Sequence, residues 1–168
     1  AKLSSADFAV VMKAGLDAQG NLVAMHTRIA CPSILTALMP RMLGKDGIDF
    51  TAVRTFNDMP YTGPHQQVDY AMRNGHVPVG FWRAPGQQNS FYRECFIDEL
   101  AAAAGKDPVE FRLGMLSADD KNRLVLEAAA KTAGWGTPPS PGLHRGVAVV
   151  DGFGSYAAMV AEVSVSAK

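Results

Sequence analysis

The segment of this chain best suited to chemistry reads GFWRAPGQQN over residues 80–89. Two aromatic residues and Arg83 lie there on a turn that Pro85 and Gly86 make irregular, at the mouth of a predicted helix. Such a turn can aim backbone N–H groups and a cation at one point, which suits an anionic ligand or an oxo group. A plain connection between a strand and a helix with two core aromatic residues also explains the segment, and local physics alone favours that simpler interpretation.

The other residue types that could do chemistry predict no second site. The two cysteines are too few for a four-ligand zinc site or an iron–sulfur cluster, and we interpret both as free core thiols. The four histidines show no metal-ligand spacing. Glu94 and Asp98 lie one turn apart on a predicted helix, and a solvated helix face explains them better than acid–base work. In chain order, these cysteines and histidines are His26, Cys31, His65, His76, Cys95 and His144.

The residues around and after this turn carry a family resemblance. Residues 80–101 fit the pattern G-F-W-R-x-x-G-x-x-x-x-F-x-x-E-x-F-I-D-E-L-A, and AGKDPVEFR follows at residues 104–112. The pattern resembles the molybdenum-binding large subunit of the xanthine dehydrogenase and aldehyde oxidase family, in particular the beta subunit of the isoquinoline 1-oxidoreductase branch. We call this turn the arginine loop (residues 82–86). The loop and the helix after it form a motif that is specific for the resembled family, whereas the similar stretches near both ends of the chain are each weak indications of it.

The resemblance implies a cofactor and the residues beside it. In the resembled family the arginine loop lies beside the molybdenum centre. The residues therefore expected near the molybdenum of a molybdopterin cytosine dinucleotide are Trp82, Arg83, Ala84 and Gly86. Ala84 and Pro85 depart from the glycine and the aromatic residue of many relatives, which affects contacts to substrate more than closeness to the cofactor.

The resemblance also implies an activity and a partner. Enzymes of this family are oxidoreductases that oxidise aldehydes or N-heterocycles with water as the oxygen source, and a partner iron–sulfur subunit carries the electrons away. Their complete subunits are several times longer, with glycine-rich cofactor segments and a catalytic glutamate that find no counterpart in these residues. We therefore expect an interior fragment that binds no cofactor and is inactive alone. The alternative is a stand-alone, non-catalytic binding or structural module derived from the family.

Composition narrows the range of partners. Lysine plus arginine and aspartate plus glutamate both number 16, so no long-range field recruits nucleic acid or an anionic membrane. Near-neutral charge also does little to keep copies apart, so the chain can form a homo-oligomer. No apolar run approaches the roughly 18 residues of a membrane span. The location stays open between the cytoplasm and the periplasm of a bacterium.

The apolar and turn patterns predict an α+β fold, with antiparallel strands at both ends and a helical middle. Residues 7–29 are predicted to form a β-hairpin that turns at residues 17–21, where glycine and asparagine allow positive φ. A short helix over residues 33–43 and a strand over residues 67–72 follow. With the resemblance, the whole is expected to be one incomplete portion of a molybdopterin-binding domain. Its segments are 1–30 (β-hairpin), 31–80 (mixed), 81–135 (arginine loop and helices), 136–145 (Pro-rich loop) and 146–166 (terminal strands), within a single domain of residues 1–168.

Three helices are predicted after the arginine loop. The first covers residues 89–104, capped by Asn89 or Ser90. Its apolar side chains recur at three- and four-residue spacing and predict a buried stripe. A second helix is predicted to begin at the Asp107-Pro108 pair, and a third covers residues 119–133. The predicted stripe of the first helix comprises Tyr92, Cys95, Phe96, Leu100 and Ala103.

Overall fold

The structure, a computed structural model, confirms the α+β class. Its described residues group into two compact units. One holds those of Ala1–Met59 and Gly63–Leu100, and the other holds those of Pro60–Thr62 and Ala101–Lys168. The expectation of one incomplete domain with five segments remains a prediction. The residues that the structure describes are 9–63, 65–77, 79–81 and 87–166.

A three-stranded sheet organises the first unit. Strands β1 (Ala9–Leu16) and β2 (Leu22–Cys31) form the antiparallel hairpin that the sequence predicts. Strand β3 (His65–Met72) confirms the predicted strand over residues 67–72, and it pairs with β2 in parallel. The central strand β2 therefore pairs with β1, its neighbour along the chain, and with β3, which the chain reaches only after a long connection.

The turn of the β1–β2 hairpin lies where it is predicted. The Asp17 carboxylate accepts hydrogen bonds from the backbone N–H groups of Gln19 and Asn21 at 2.9 and 2.8 Å. Gly20 takes a φ of 70°, which glycine adopts without steric cost. An acidic side chain and a glycine thus specify the turn locally.

The connection from β2 to β3 contains only short helices. They are α1 (Ile34–Leu38), a 3₁₀ turn (Pro40–Met42) and α2 (Phe50–Val53). The short helix predicted over residues 33–43 is confirmed as α1 followed by the 3₁₀ turn. Because Pro40 has no N–H to donate, the α-helical hydrogen bonding stops before it.

The core of the first unit lies on one face of its sheet. β2 contributes Ile29 and Cys31 to this core, which are 2% and 1% exposed. The connection contributes Phe56, which is fully buried. The buried cluster comprises Ile29, Cys31, Ala52, Val53 and Phe56. Partly buried side chains packed against it are Val10, Met12, Val68, Tyr70 and Tyr92.

Helix α3 (Gln87–Ala103) confirms the helix predicted over residues 89–104. The predicted caps are wrong, because Asn89 and Ser90 lie inside the helix. The predicted buried stripe is right only at Leu100: Tyr92 and Phe96 are half-buried, and Cys95 and Ala103 are exposed. The buried residues of α3 are Asn89, Ser90, Arg93, Glu94, Ile97, Leu100 and Ala101.

The physical reason for this correction is that polar residues occupy the buried side of α3. Residues 89, 93, 97 and 101 follow the four-residue spacing of a helix face, and the first two are an asparagine and an arginine. Counting apolar side chains therefore selects a neighbouring face. The prediction of a solvated face is likewise wrong for Glu94, which is 5% exposed.

The second unit combines two helices and a hairpin. Helix α4 (Pro108–Leu113) starts as predicted, since the Asp107 carboxylate accepts from the N–H groups at positions 109 and 110. Helix α5 (Lys121–Thr132) confirms the third predicted helix. Strands β4 (Leu143–Gly152) and β5 (Ser155–Ser164) form an antiparallel hairpin. β4 begins three residues before the predicted strand that starts at residue 146.

Only one face of the β4–β5 hairpin is covered by described residues. Helix α5 packs against the hairpin, and Leu126 of α5 and Val149 of β4 are fully buried. On the opposite face Met159 and Val163 are 72% and 54% exposed. No helix in the described part of the chain is long and apolar enough to cross a bilayer.

Candidate functional site

The predicted site residues Trp82, Arg83, Ala84 and Gly86 lie outside the described residues. The description stops at Phe81 and resumes at Gln87, the first residue of α3. Their placement near molybdenum is therefore still a prediction. What the structure does show is how the helix that follows the arginine loop is held.

The start of α3 is hydrogen-bonded to the end of α2. The Asn89 side-chain Nδ2 donates to the carbonyl oxygens of Ala52 at 2.9 Å and Arg54 at 2.8 Å. One turn further along α3, Nη1 of Arg93 donates to the carbonyl oxygen of Thr55 at 3.1 Å. Because the last carbonyl groups of a helix lack partners within that helix, α3 supplies donors that the end of α2 needs. We call Asn89, Arg93 and these three carbonyl groups the α3 brace.

The chain is strained where the α3 brace binds it. Thr55 has a φ of 70°, a left-handed conformation that is unusual for a β-branched residue. The N–H group of Thr55 donates to the Asp58 carboxylate, and the next residue, Phe56, is fully buried. Strained conformations of this kind persist where surrounding contacts determine the chain path. The α3 brace is one of those contacts.

Arg93 is a buried cation that an adjacent carboxylate neutralises. Its Nε lies 2.9 Å from Oε1 of Glu94, and the two side chains are 0% and 7% exposed. A buried charge is costly unless it is paired and hydrogen-bonded. The Arg93–Glu94 pair meets that condition inside the first unit.

Asn89 keeps one unused acceptor. Its residue is 2% exposed, and its side-chain Oδ1 has no hydrogen-bond partner in the described part of the chain. An orphaned buried oxygen is costly, and this one belongs to the first turns of the helix after the arginine loop. An N–H donor from outside the described residues would satisfy it.

A second buried carboxylate, Asp49, joins the starts of α1 and α2. Its Oδ2 accepts from Ser33 Oγ at 2.7 Å and Leu35 N at 2.9 Å, and its Oδ1 accepts from both N and Oγ1 of Thr51. Burial by itself raises the pKa of Asp49, but the hydrogen bonds to Thr51, Leu35 and Ser33 outweigh it and lower that pKa below its ordinary value. The ionised carboxylate is thus a structural hub.

The two cysteines differ in their surroundings. Cys31 is buried as predicted, and burial, followed by the charge of Asp49, raises the pKa of its thiol to about 12. The prediction of a core thiol is wrong for Cys95, which is exposed. The reason is again that the buried side of α3 runs through residues 89, 93, 97 and 101, and Cys95 lies off that side. A thiol with so high a pKa as that of Cys31 has almost no nucleophilic thiolate at neutral pH.

A charged cluster that sequence reasoning missed lies on the outer face of the first sheet. Nε2 of His26 lies 2.8 Å and Nε of Arg28 lies 3.4 Å from Oδ2 of Asp69. Nε2 of Gln67 donates to Oδ1 of the same carboxylate at 2.9 Å. The Gln67 hydrogen bond, and then the His26 bond, lower the pKa of Asp69. Only the parallel register, which pairs Arg28 with Asp69, could have revealed this cluster.

The outer cluster borders an open depression on the first sheet. The depression, of about 630 Å³, is lined by the first two strands and by His65 and its neighbours. Among the residues described, no three histidine, cysteine or acidic side chains gather as metal ligands. The His26–Asp69 contact is a hydrogen bond between half-exposed side chains.

Comparisons with known proteins identify the family of the chain. Residues 1–115 match the model of the molybdopterin cofactor-binding domain. Over 126 residues the chain is 32% identical to a nicotinate dehydrogenase subunit of Pseudomonas putida, covering 72% of this chain and 10% of that protein. Over 157 residues it is 25% identical to the beta subunit of isoquinoline 1-oxidoreductase of Brevundimonas diminuta, covering 91% and 20%. The chain thus spans a tenth and a fifth of these relatives.

Solved structures agree in fold. Quinoline 2-oxidoreductase from Pseudomonas putida 86 superposes with a TM-score of 0.65 at 16% identity, over 84% of this chain and 21% of that one. Aldehyde oxidoreductase from Desulfovibrio gigas superposes with a TM-score of 0.53 at 19% identity, over 86% and 18%. These likenesses show a shared fold.

Proposed function

The chain belongs to the molybdopterin cofactor-binding domain family, and from this premise we propose that it is an incomplete part of the cofactor-binding subunit of a molybdenum hydroxylase. The observation that carries the proposal is the family match over residues 1–115, which includes the arginine loop. Both relatives are named as single subunits of their enzymes, which supports a role within a larger assembly. We propose an iron–sulfur subunit as the partner.

The proposed cofactor is molybdopterin cytosine dinucleotide. When bound, it would supply the two-electron chemistry that oxidises an aldehyde or an N-heterocycle with water as the oxygen source. The chain's own contribution would be the arginine loop, whose residues Trp82, Arg83, Ala84 and Gly86 are proposed to lie near the molybdenum, with Arg83 supplying a cation. A fixed cation in a water-poor site stabilises negative charge that develops in the transition state.

The role of Arg83 can be tested in a full-length homologue that carries the same loop. We expect replacement of the equivalent arginine by alanine to lower turnover about 10²–10³-fold, the range for removing one such donor. Lysine should rescue only in part, because an ammonium cannot reproduce the planar fork of guanidinium donors. Molybdenum content and circular dichroism serve as controls. Both variants turning over at the parent rate with full molybdenum would remove the side chain from the mechanism.

The chain by itself is proposed to be inactive. Its likeness to the family includes the arginine loop but neither the glycine-rich cofactor segments nor the catalytic glutamate of the resembled enzymes. We expect no turnover of benzaldehyde or isoquinoline by the purified chain with an artificial electron acceptor after incubation with the molybdenum cofactor. Measurable turnover under these conditions would show that the chain holds a complete site.

A non-catalytic binding module remains the second candidate, and one observation favours it. The outer face of the β4–β5 hairpin exposes apolar side chains, including Met159 and Val163, and large apolar patches on a protein surface commonly mark interaction sites. Metal and pterin analysis of the purified protein separates the candidates. Stoichiometric molybdenum would support the redox role. A stable complex of the chain with another protein, free of both molybdenum and pterin, would support the binding module.

A further inference from the structure

We propose that Asn89 and Arg93 are positioning residues, which fix the first turns of α3 and so the point at which the arginine loop joins the helix. The inference rests on the proposed function in its last step only, namely that this loop lies beside a molybdenum cofactor. The α3 brace itself is a property of the described chain and can be tested without any cofactor.

The first argument is the match between donors and acceptors. The carbonyl groups of Ala52, Arg54 and Thr55 belong to the last turn of α2 and the two residues after it, and their donors stand four residues apart on α3. Residues four apart lie on the same face of a helix. The two side chains therefore hold one helix face against one stretch of chain at two successive turns, which restricts both the rotation and the sliding of α3.

The second argument is the location of the α3 brace along the helix. The first turn of a helix has N–H groups without partners within the helix and is the turn most prone to fray. Asn89 is the third residue of α3, so its two bonds hold the turn that directly follows residues 82–86. The arginine loop thereby joins a helix start of defined position.

The third argument is burial. Asn89 and Arg93 are 2% and 0% exposed, so water does not readily replace the hydrogen bonds that a substitution removes. A lost partner in such a place costs more than a bond at the surface. Truncating either side chain should therefore release the helix start.

The experiment is amide hydrogen exchange on the 168-residue chain. We expect Asn89→Ala to raise exchange of the amides at residues 91–95 about tenfold or more, as removal of a buried donor that serves two carbonyls predicts. The matched control is Asn122→Ala in α5. Asn122 is also buried at 3% exposure, and its Nδ2 also donates a hydrogen bond, so this control should raise exchange in residues 121–132 and leave α3 unchanged.

A second readout reports on the arginine loop directly. The chain has two tryptophans, so Trp135→Phe leaves Trp82 as the only tryptophan emitter. In that background, iodide quenching of Trp82 should change with Asn89→Ala or Arg93→Lys and stay constant with Asn122→Ala. If these side chains contributed only to overall stability, the quenching of Trp82 would change in all three variants, in proportion to each variant's loss of unfolding free energy.

The milder Asn89→Ser keeps the test usable if Asn89→Ala does not fold. Parent-like exchange of residues 91–95 in Asn89→Ser and Arg93→Lys, with unchanged quenching of Trp82, would overturn the proposal. In a full-length homologue, absence of molybdenum from the parent protein would instead overturn the proposed function. The two failures are therefore distinguishable.

Discussion

Individual residues in this chain keep their charges inside the protein because each charge has fixed partners. Asp49 is fully buried and accepts four hydrogen bonds, while buried Arg93 is paired with Glu94. Ionised groups lose much hydration on burial, and only partners of this kind offset the loss. These residues are therefore the places where single substitutions should have the clearest effect.

Asp49 should make the stability of the first unit depend on pH. Its pKa is lower in the folded chain than its ordinary value, so its stabilising contribution is present above the unfolded pKa of about 3.9 and is lost as pH falls through the folded pKa. We expect Asp49→Asn to lower the free energy of unfolding by about 1–3 kcal/mol at pH 7. Urea unfolding measured down to pH 3 should show that difference shrinking.

The control for Asp49 is Asp46→Asn. Asp46 is exposed, and its carboxylate accepts a backbone hydrogen bond from Ile48 at 3.0 Å, so it carries the same chemistry without burial. We expect Asp46→Asn to change stability by less than about 0.5 kcal/mol. A pH-independent effect of Asp49→Asn would contradict the role of its ionised form.

The two cysteines should react at very different rates. Exposed Cys95 should be alkylated by iodoacetamide at pH 8 in the folded protein, whereas Cys31, with a pKa of about 12, should react only on unfolding. Mass spectrometry of the native protein should therefore find one label, and Cys95→Ser should find none. Rapid double labelling without denaturant would show that Cys31 is accessible.

At the scale of elements, α3 is the helix whose interior side the sequence misplaces. Ile97 is fully buried and Phe96 is half-buried, so the cost of truncation should follow burial and not side-chain size. The sequence alone predicts a loss of about 3–5 kcal/mol for Phe96→Ala. The structure changes that expectation to a smaller loss.

We expect Ile97→Ala to destabilise the protein by about 2–5 kcal/mol, the range for emptying a buried aliphatic site. Phe96→Ala should cost clearly less. The measurement is urea unfolding followed by far-ultraviolet circular dichroism, with exposed Phe91→Ala, at 64% exposure, as the control near zero. A larger loss for Phe96 than for Ile97 would show that α3 presents the other side to the core.

At the scale of the whole molecule, the chain carries equal numbers of acidic and basic residues, 16 of each, and an exposed apolar hairpin face. Charge repulsion does not oppose contact between copies, and the outer face of β4–β5 has no described element packed on it. These features support the expectation of self-association.

Self-association should weaken when charge is placed on that face. We expect sedimentation velocity to show concentration-dependent oligomers of the parent chain and monomers of the double variant Met159→Lys, Val163→Lys. Leu124→Lys is the matched control, since Leu124 is also exposed, at 56%, but on α5. Equal association of all three proteins would place the contact elsewhere on the chain.

The identity and order of most elements, though not of α2, were predictable because their signals are local. A carboxylate and a glycine in the β1–β2 turn, Asp107 before Pro108, and the glycine that follows α3 each act within a few residues. Gly105, for example, takes a φ of 64° just where the helix ends. Hydrogen bonds that span three to five residues depend on residue types that can be recognised directly in the sequence.

The sequence by itself determined the α+β class, the two hairpins and the helices that follow the arginine loop, since each depends on near neighbours. Only the tertiary structure decided the parallel pairing of β3, the His26–Asp69 contact and the polar buried side of α3. The bonds of the α3 brace join residues 35 to 38 positions apart. Asn89 and Arg93 can be buried because a stretch of chain distant in sequence supplies carbonyl groups that accept their hydrogen bonds. The residues next to them in the sequence do not indicate that contact.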